Sequence, residues 1–454
     1  MSTHVGPGTK GLALTTWQPL TEVRAAVAQA RPAIGSEWTR YPVLELSDSA
    51  MEHNLALMAT AADRAGCVHA PHIKTSMSPQ LVERQIAAGS WGVTTATVGH
   101  IAAALSWDIP GLERVFHANE VVVPSEIAFL AGSILERLRT GRDLTIYLYA
   151  DSLDGVALIA AGLEQFAQAH SGDLTDSERA HVHANLCITI ELGVPDGRTG
   201  VRNFDQAIAV ATAARDAGLS VRGVSGYEGS VASAHTAQDL ENVAAYLHQL
   251  RDLAGILIAG DLIDLQDGTV VVSAGGSAYL DVVMSELPGP LTVTRRGHDE
   301  SQPESSIISV IPVVRAGSYI IHDHGLLERA NPWVRMPAAW LDGAADAPLP
   351  RAAAHVHAVV LSTPEPGLAL LNVGRRDVPF DIDLPLVVSH NGWTVTSVND
   401  QHAFVRADAE HQPLAPGDVV KLGISHPCTI FDKWATALVT NDAHEIIDII
   451  ETQF

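Results

Sequence analysis

Lysine and cysteine are both scarce in this chain. Of its 28 lysines and arginines, only Lys10, Lys74, Lys421 and Lys433 are lysines. The three cysteines, Cys67, Cys187 and Cys428, are widely spaced and odd in number. That excludes a disulfide framework and points to a reducing cytosol. No apolar run reaches the roughly 18 residues of a membrane span. The first residues lack the basic-then-apolar order of a secretory signal, so a soluble, cytoplasmic protein is expected. Positive charge is also short, since 52 acidic residues leave a formal net charge of −24. Nucleic acid and anionic membranes would be repelled by such a chain. Any anionic ligand must be gripped locally, by a few arginines and backbone amides.

What the chain has instead is length and pattern. Its 454 residues, 47% of them apolar, are enough for more than one domain. From about residue 50 to 315, within a domain expected over 41–315, short apolar runs alternate with Ala/Leu-rich segments of helical period. The predicted strands are Cys67–Ile73, Trp91–Thr97, Arg114–His117, Thr145–Ala150, Ala184–Leu192, Val221–Tyr227, Val270–Ser273 and Ser309–Val314. Near-continuous apolar strands separated by helices mean a buried parallel sheet. Eight of them over roughly 265 residues match a (β/α)8 TIM-like barrel, although an open doubly wound sheet has the same pattern. After Val314, helical periodicity gives way to period-2 runs, with turns at Pro364–Gly367, Asn391-Gly392 and Pro416-Gly417. A C-terminal antiparallel β domain over 316–454 is expected, with 1–40 as an N-terminal extension.

In a barrel, chemistry sits at the C-terminal ends of the strands. Lys74, in "PHIKT", takes that place on the first strand. A strand-terminal lysine more often only carries its charge to water. Where arginine supplies nearly all positive charge, however, a lysine at this point suggests a primary amine used as a nucleophile toward an aldehyde. Gly275-Gly276-Ser277 follows the seventh strand, where backbone N–H groups and a hydroxyl can converge on an anion. Arg198 in "GRTG" and Tyr227 in "GYEG" follow the fifth and sixth. Each alone is usually structural. Amine, anion loop, aromatic and arginines together suggest pyridoxal 5′-phosphate. In "GISHPCTIFDKW", His426 and Cys428 flank a proline, and an extended strand would turn both to one face. Imidazole and thiolate suit zinc, although a buried His-x-Cys is more often only core.

These residues resemble the pyridoxal phosphate enzymes of the alanine racemase fold, and more closely the branch of D-serine dehydratase and D-threonine aldolase. The resemblance runs from about residue 41 to Trp434. Its motifs are PHxKT at Pro71–Thr75, the GGS loop at Gly275–Ser277, RxGSY at Arg315–Tyr319 and His-Pro-Cys at 426–428. It implies that Lys74 is the Schiff-base and catalytic lysine, and that His72, Arg198, Tyr227, Gly275, Gly276, Ser277 and Arg315 bind the cofactor. It further implies that His426 and Cys428 bind Zn2+, and that the protein is a homodimer. The implied reaction is dehydration of a D-β-hydroxy amino acid, such as D-serine or D-threonine, to a 2-oxo acid and ammonia. A D-threonine aldolase is the alternative, although the aldolase motif has Asp where Cys428 stands. A non-catalytic pyridoxal phosphate carrier would lack the β domain. The chain also departs from the pattern. Ala70 and Ser76 replace the Arg and His that often flank PHxKT. Asp400-Gln401-His402 keeps only the histidine of a Glu-Glu-His. "TSMSPQL" resembles a bacterial subgroup called amino acid deaminases.

Overall fold

The computed structural model describes residues 3–295, 304–343, 349–408, 410 and 412–454. Eight parallel strands curl into a barrel: β1 Val68–His69, β2 Val93–Thr95, β3 Arg114–Glu120, β4 Thr145–Ala150, β5 Leu186–Leu192, β6 Ser220–Gly226, β7 Thr269–Ala274 and β8 Glu304–Val314. From β2 onward each pairs parallel with the next, for example Ile188 with Val221 and Val271 with Ile311. β8 returns to β1, pairing Val313 with Val68. The ring closes between β1 and β2 through a parallel bridge from His72 to Thr94 and the Thr94 N–H bond to the Pro71 carbonyl. All eight runs expected from the sequence are barrel strands, and closure decides for the barrel over an open sheet.

β-branched strands and well-capped helices explain the alternation. Val270, Val272, Ile188 and Ile190 are fully buried between sheet and helices, where branched side chains pack against the pleat. The covering helices begin at Ser47, Thr97, Ser152, Thr175, Asn203 and Thr236, whose side chains accept the first free backbone N–H groups. Phe116, Tyr147, Tyr149, Cys187, Val271 and Val313 fill the barrel interior, giving the site above them a solid floor.

The second sheet runs in the order Trp393–Val398, Ala403–Ala407, Leu368–Leu371, Ala354–Glu365, Val43–Ser47, Thr436–Thr440, Ile446–Glu451, with Val419–Gly423 also on Ala354–Glu365. The division expected at residue 41 would assign Val43–Ser47 to the barrel. It pairs instead with Ala354–Glu365 antiparallel and Thr436–Thr440 parallel, so both ends of the chain build this sheet. Periodicity cannot reveal such a long-range pairing. Residues 318–341 also differ from the expected β texture. They form short helical turns punctuated by Pro332 and Pro337, too brief to leave a periodic signal.

The N-terminal extension is strapped to this sheet. Leu20, Val23 and Val27 of the helix Leu20–Ala30 pack with Val5, Leu12, Leu438 and Ile449 in a separate apolar cluster. Lys10 spans the chain, donating to Asp377 at 2.8 Å and to the carbonyls of Arg376 and Lys433, with its ammonium 5.0 Å from the Trp434 ring. Asp377 is 1% exposed. Lys10→Met should therefore destabilise the protein by about 1–3 kcal/mol, because a buried carboxylate loses its counter-ion. Urea unfolding of the variant checks this, and Lys10→Met/Asp377→Asn should recover part of the loss.

Candidate active site

Lys74 owes its position to a ladder that stops. After Pro71, which has no N–H to extend pairing, the chain turns into a single 3₁₀ turn, Ile73–Thr75. The His72 side chain caps it, accepting the Lys74 N–H at 3.5 Å. Ile73 and Thr75 are buried on either side, so Lys74 must project into the cavity at the barrel mouth. That cavity holds about 1090 Å3 and is lined by Lys74, Arg198, Tyr227, Gly276, His426 and Cys428, among others. Protein surrounds the amine although water can reach it. Burial lowers its pKa; the Cys428 thiolate opposes this, while Arg198 and Arg315 lower it further. A larger fraction of free amine results.

The glycine loop expected to receive an anion follows β7, but its two amides already have a partner within the chain. Gly275 adopts φ +118°, a conformation that favours glycine. A Cβ on Gly276 would stand 3.0 Å from the Tyr227 ring, and one on Gly317 would collide with the His72 carbonyl. The Gly275 N–H donates to Glu228 at 2.9 Å, and the Gly276 N–H donates to the same fully buried carboxylate. The two amides therefore converge on an anion, this chain's own. Ser277 Oγ lies 2.8 Å from Ser318 Oγ, adding a hydroxyl pair beside them. Glu228 was in view inside "GYEG" but carried no signal of its direction.

Arg198 lies over the Tyr227 ring at 4.2 Å. Arg315 reaches inward, donating to Ser273 Oγ and, at 2.7 Å, to the Gly226 carbonyl; its guanidinium sits 5.3 Å from the Phe116 ring. Burial, with Lys74 and Arg315 nearby, keeps His72 well below the ordinary imidazole pKa.

His426 and Cys428 reach the same cavity, but not from a strand. His426 precedes a 3₁₀ turn, Pro427–Thr429, and Cys428 is its central residue, because Pro427 cannot continue a ladder. His426 Nδ1 lies 2.6 Å from Asp381, which also accepts from Thr429 Oγ1 at 2.8 Å. Asp381, 45 residues upstream, has no local signal. Cys428 Sγ lies 3.7 Å from Thr75 Oγ1, the residue after Lys74. Hydrogen bonding to Cys428 and the Asp381 carboxylate raise His426 to about 9, against the effect of burial. Burial would raise the Cys428 thiol, yet His426 and Thr75 bring it below its ordinary value. The turn thus holds a protonated imidazole ring beside a thiol of lowered pKa.

Three further carboxylates stand at the barrel mouth, from the ends of β3, β4 and β5: Glu120, Asp151 and Glu191. Burial and the neighbouring Glu191 push Glu120 up to about 9, and burial raises Glu191.

The residues present suit a pyridoxal phosphate. An amine of lowered pKa stands in a cavity at the upper end of small-ligand size, with a glycine cradle free of Cβ atoms and arginines on two sides. The donor set of His426 and Cys428 suits zinc, being nitrogen and sulfur.

Comparison with known proteins follows the same lines. The family described as "Putative serine dehydratase domain" matches residues 353–440. A D-threonine aldolase of Arthrobacter sp is 26% identical over 411 residues, 88% of this chain and 89% of that protein. The structure of D-threonine aldolase from Filomicrobium marinum shares the fold at TM-score 0.68 and 19% identity, covering 91% of this chain and 95% of that one. D-threo-3-hydroxyaspartate dehydratase from Delftia sp. HT23 does so at TM-score 0.63 and 19% identity, covering 91% and 97%. A cysteine-to-alanine mutant of a D-threo-3-hydroxyaspartate dehydratase is described in the metal-free form. With similarity spanning barrel and β sheet alike, the chain has the alanine racemase-like fold and is similar along most of its length to pyridoxal phosphate-dependent lyases of the D-serine dehydratase and D-threonine aldolase group.

Proposed function

We propose that this enzyme is a zinc-dependent dehydratase of D-β-hydroxy amino acids, such as D-serine or D-threonine, releasing a 2-oxo acid and ammonia. The observation that carries this reading is the meeting of Lys74 with His426 and Cys428 in one cavity, linked through Thr75. The Lys74 amine, partly free because of burial and nearby arginines, would bind the cofactor aldehyde. Displaced from it by the substrate amine, Lys74 would then take the proton from the substrate Cα at Nζ. Ser277, Ser318 and the Gly275-Gly276 amides would hold the phosphate, with Glu228 withdrawing from the amides. Arg198 and Tyr227 would flank the ring, and Arg315 would set the field beneath it. Bound there, pyridoxal phosphate supplies an electron sink for the pair left at Cα. Zinc on His426 and Cys428 would supply Lewis acidity toward the β-oxygen, which favours its departure. Asp381 would fix the His426 ring through Nδ1, leaving Nε2 for the metal.

The second reading is the aldolase, supported by the D-threonine aldolases among the relatives. Cys428 supports dehydration instead, because the aldolase motif has aspartate at that position. D-Threonine separates the two. A dehydratase gives 2-oxobutyrate and ammonia, whereas an aldolase gives glycine and acetaldehyde. The expected products are the 2-oxo acid and ammonia, from the D enantiomer, lost with a chelator and restored by zinc. Glycine and acetaldehyde as main products would overturn dehydration and leave the family assignment intact.

A homodimer belongs to this proposal. Phe380, Ile382, Leu386 and Val388 expose between 39% and 44% of their surface around Asp381. Such a run is unusual on a monomer and supports a partner subunit beside the metal turn.

A further inference from the structure

We propose that Glu120, Asp151 and Glu191 form a second cation site, for a hard divalent ion such as Mg2+, Mn2+ or Ca2+. It lies at the ends of β3, β4 and β5, separate from the imidazole–thiolate turn. One oxygen from each carboxylate lies within 4.8 Å of the others. An ion about 2.1–2.5 Å from each would span that triangle. Among the described residues none of the three makes an ion pair. Two guanidiniums of the same cavity are committed elsewhere: Arg315 to Ser273 and Gly226, and Arg202 to the carbonyls of Arg198, Thr199 and Gly200.

A second observation points to the same ligand. The Tyr149 side chain, 3% exposed, has no hydrogen-bond partner at its hydroxyl. In the ladder Tyr149 stands opposite Glu120 on one side and Thr189 on the other, two residues before Glu191. Its hydroxyl therefore rises on the inner face toward the carboxylates, in the same cavity as Asp151 and Glu191. Both Glu120 oxygens and Glu191 Oε2 are buried as well, and these two carboxyl groups lie within hydrogen-bonding reach of each other, where only a proton or a cation can join them. A buried hydroxyl without a partner is costly, and a divalent ion would take the Tyr149 oxygen together with the carboxylates.

Donor chemistry separates the two sites. Three carboxylates and a phenol are all-oxygen and select hard cations, whereas His426 and Cys428 select zinc. The acidic site also has a consequence for the cofactor pocket. Asp151 accepts the Gly200 N–H at 3.0 Å, so the ion would tie three strand ends to the loop that lays Arg198 on Tyr227.

The test uses the cofactor-loaded His426→Ala/Cys428→Ala protein, in which only the acidic site remains. Titration with Mn2+, read by the electron paramagnetic resonance of free ion, should show about one ion bound per chain. Adding Glu191→Gln, or separately Asp151→Asn, should weaken that binding by more than about tenfold, with cofactor absorbance and circular dichroism retained. Two outcomes overturn the site: no Mn2+ bound at millimolar concentration, in which case protons alone hold the carboxylates, or binding unchanged in both added variants.

Discussion

Replacing Lys74 with arginine should leave a folded protein whose turnover falls by more than about 10³-fold, since the nucleophile and the Cα base are lost together. The substitution keeps the positive charge and most of the aliphatic stem. Buried Ile73 and Thr75 hold the turn without help from the residue between them. A guanidinium stays protonated and its nitrogens are delocalised, so it neither forms an imine nor accepts the Cα proton. Borohydride treatment of the native protein should fix the cofactor to the peptide containing residue 74. A label on Lys421 or Lys433 would refute the assignment. The structure gives the other three lysines different partners: Lys10 binds Asp377, Lys421 binds buried Glu45 at 2.8 Å, and Lys433 binds Asp432.

His426→Ala/Cys428→Ala should lower zinc content from about one ion per chain to near none and abolish dehydration, because no nitrogen–sulfur pair remains to hold the metal. Cofactor absorbance should persist, since Lys74 and the glycine loop belong to the barrel. Asp381→Asn should keep both ligands and weaken zinc by roughly 10–100-fold, by loosening the His426 ring. Full zinc retention in the double variant would show that other residues are the ligands.

The barrel was readable before any coordinates because each strand is a short run of buried β-branched residues between capped helices, and both signals are local. Lys74 and Gly275–Ser277 were readable for a related reason. In such a fold, the residue just past a strand end is also the residue at the barrel mouth. His426 and Cys428 were found as a pair, but their geometry was not, since Pro427 makes a 3₁₀ turn rather than a strand.

Composition and period by themselves determined a large, acidic, disulfide-free α/β protein with a β-rich C-terminal part, and one lysine at a strand end. Only the tertiary structure decided what comes from distant segments. Val43–Ser47 crosses into the second sheet because its partners lie some hundreds of residues downstream. Glu228 swings onto the Gly275 and Gly276 amides because barrel closure sets β6 beside β7. Asp381 reaches His426, and Glu120, Asp151 and Glu191 gather in one place, because neighbouring strand ends or loops converge there. A carboxylate has no periodic signature, and its direction depends on which opposite charge or amide the fold brings near it.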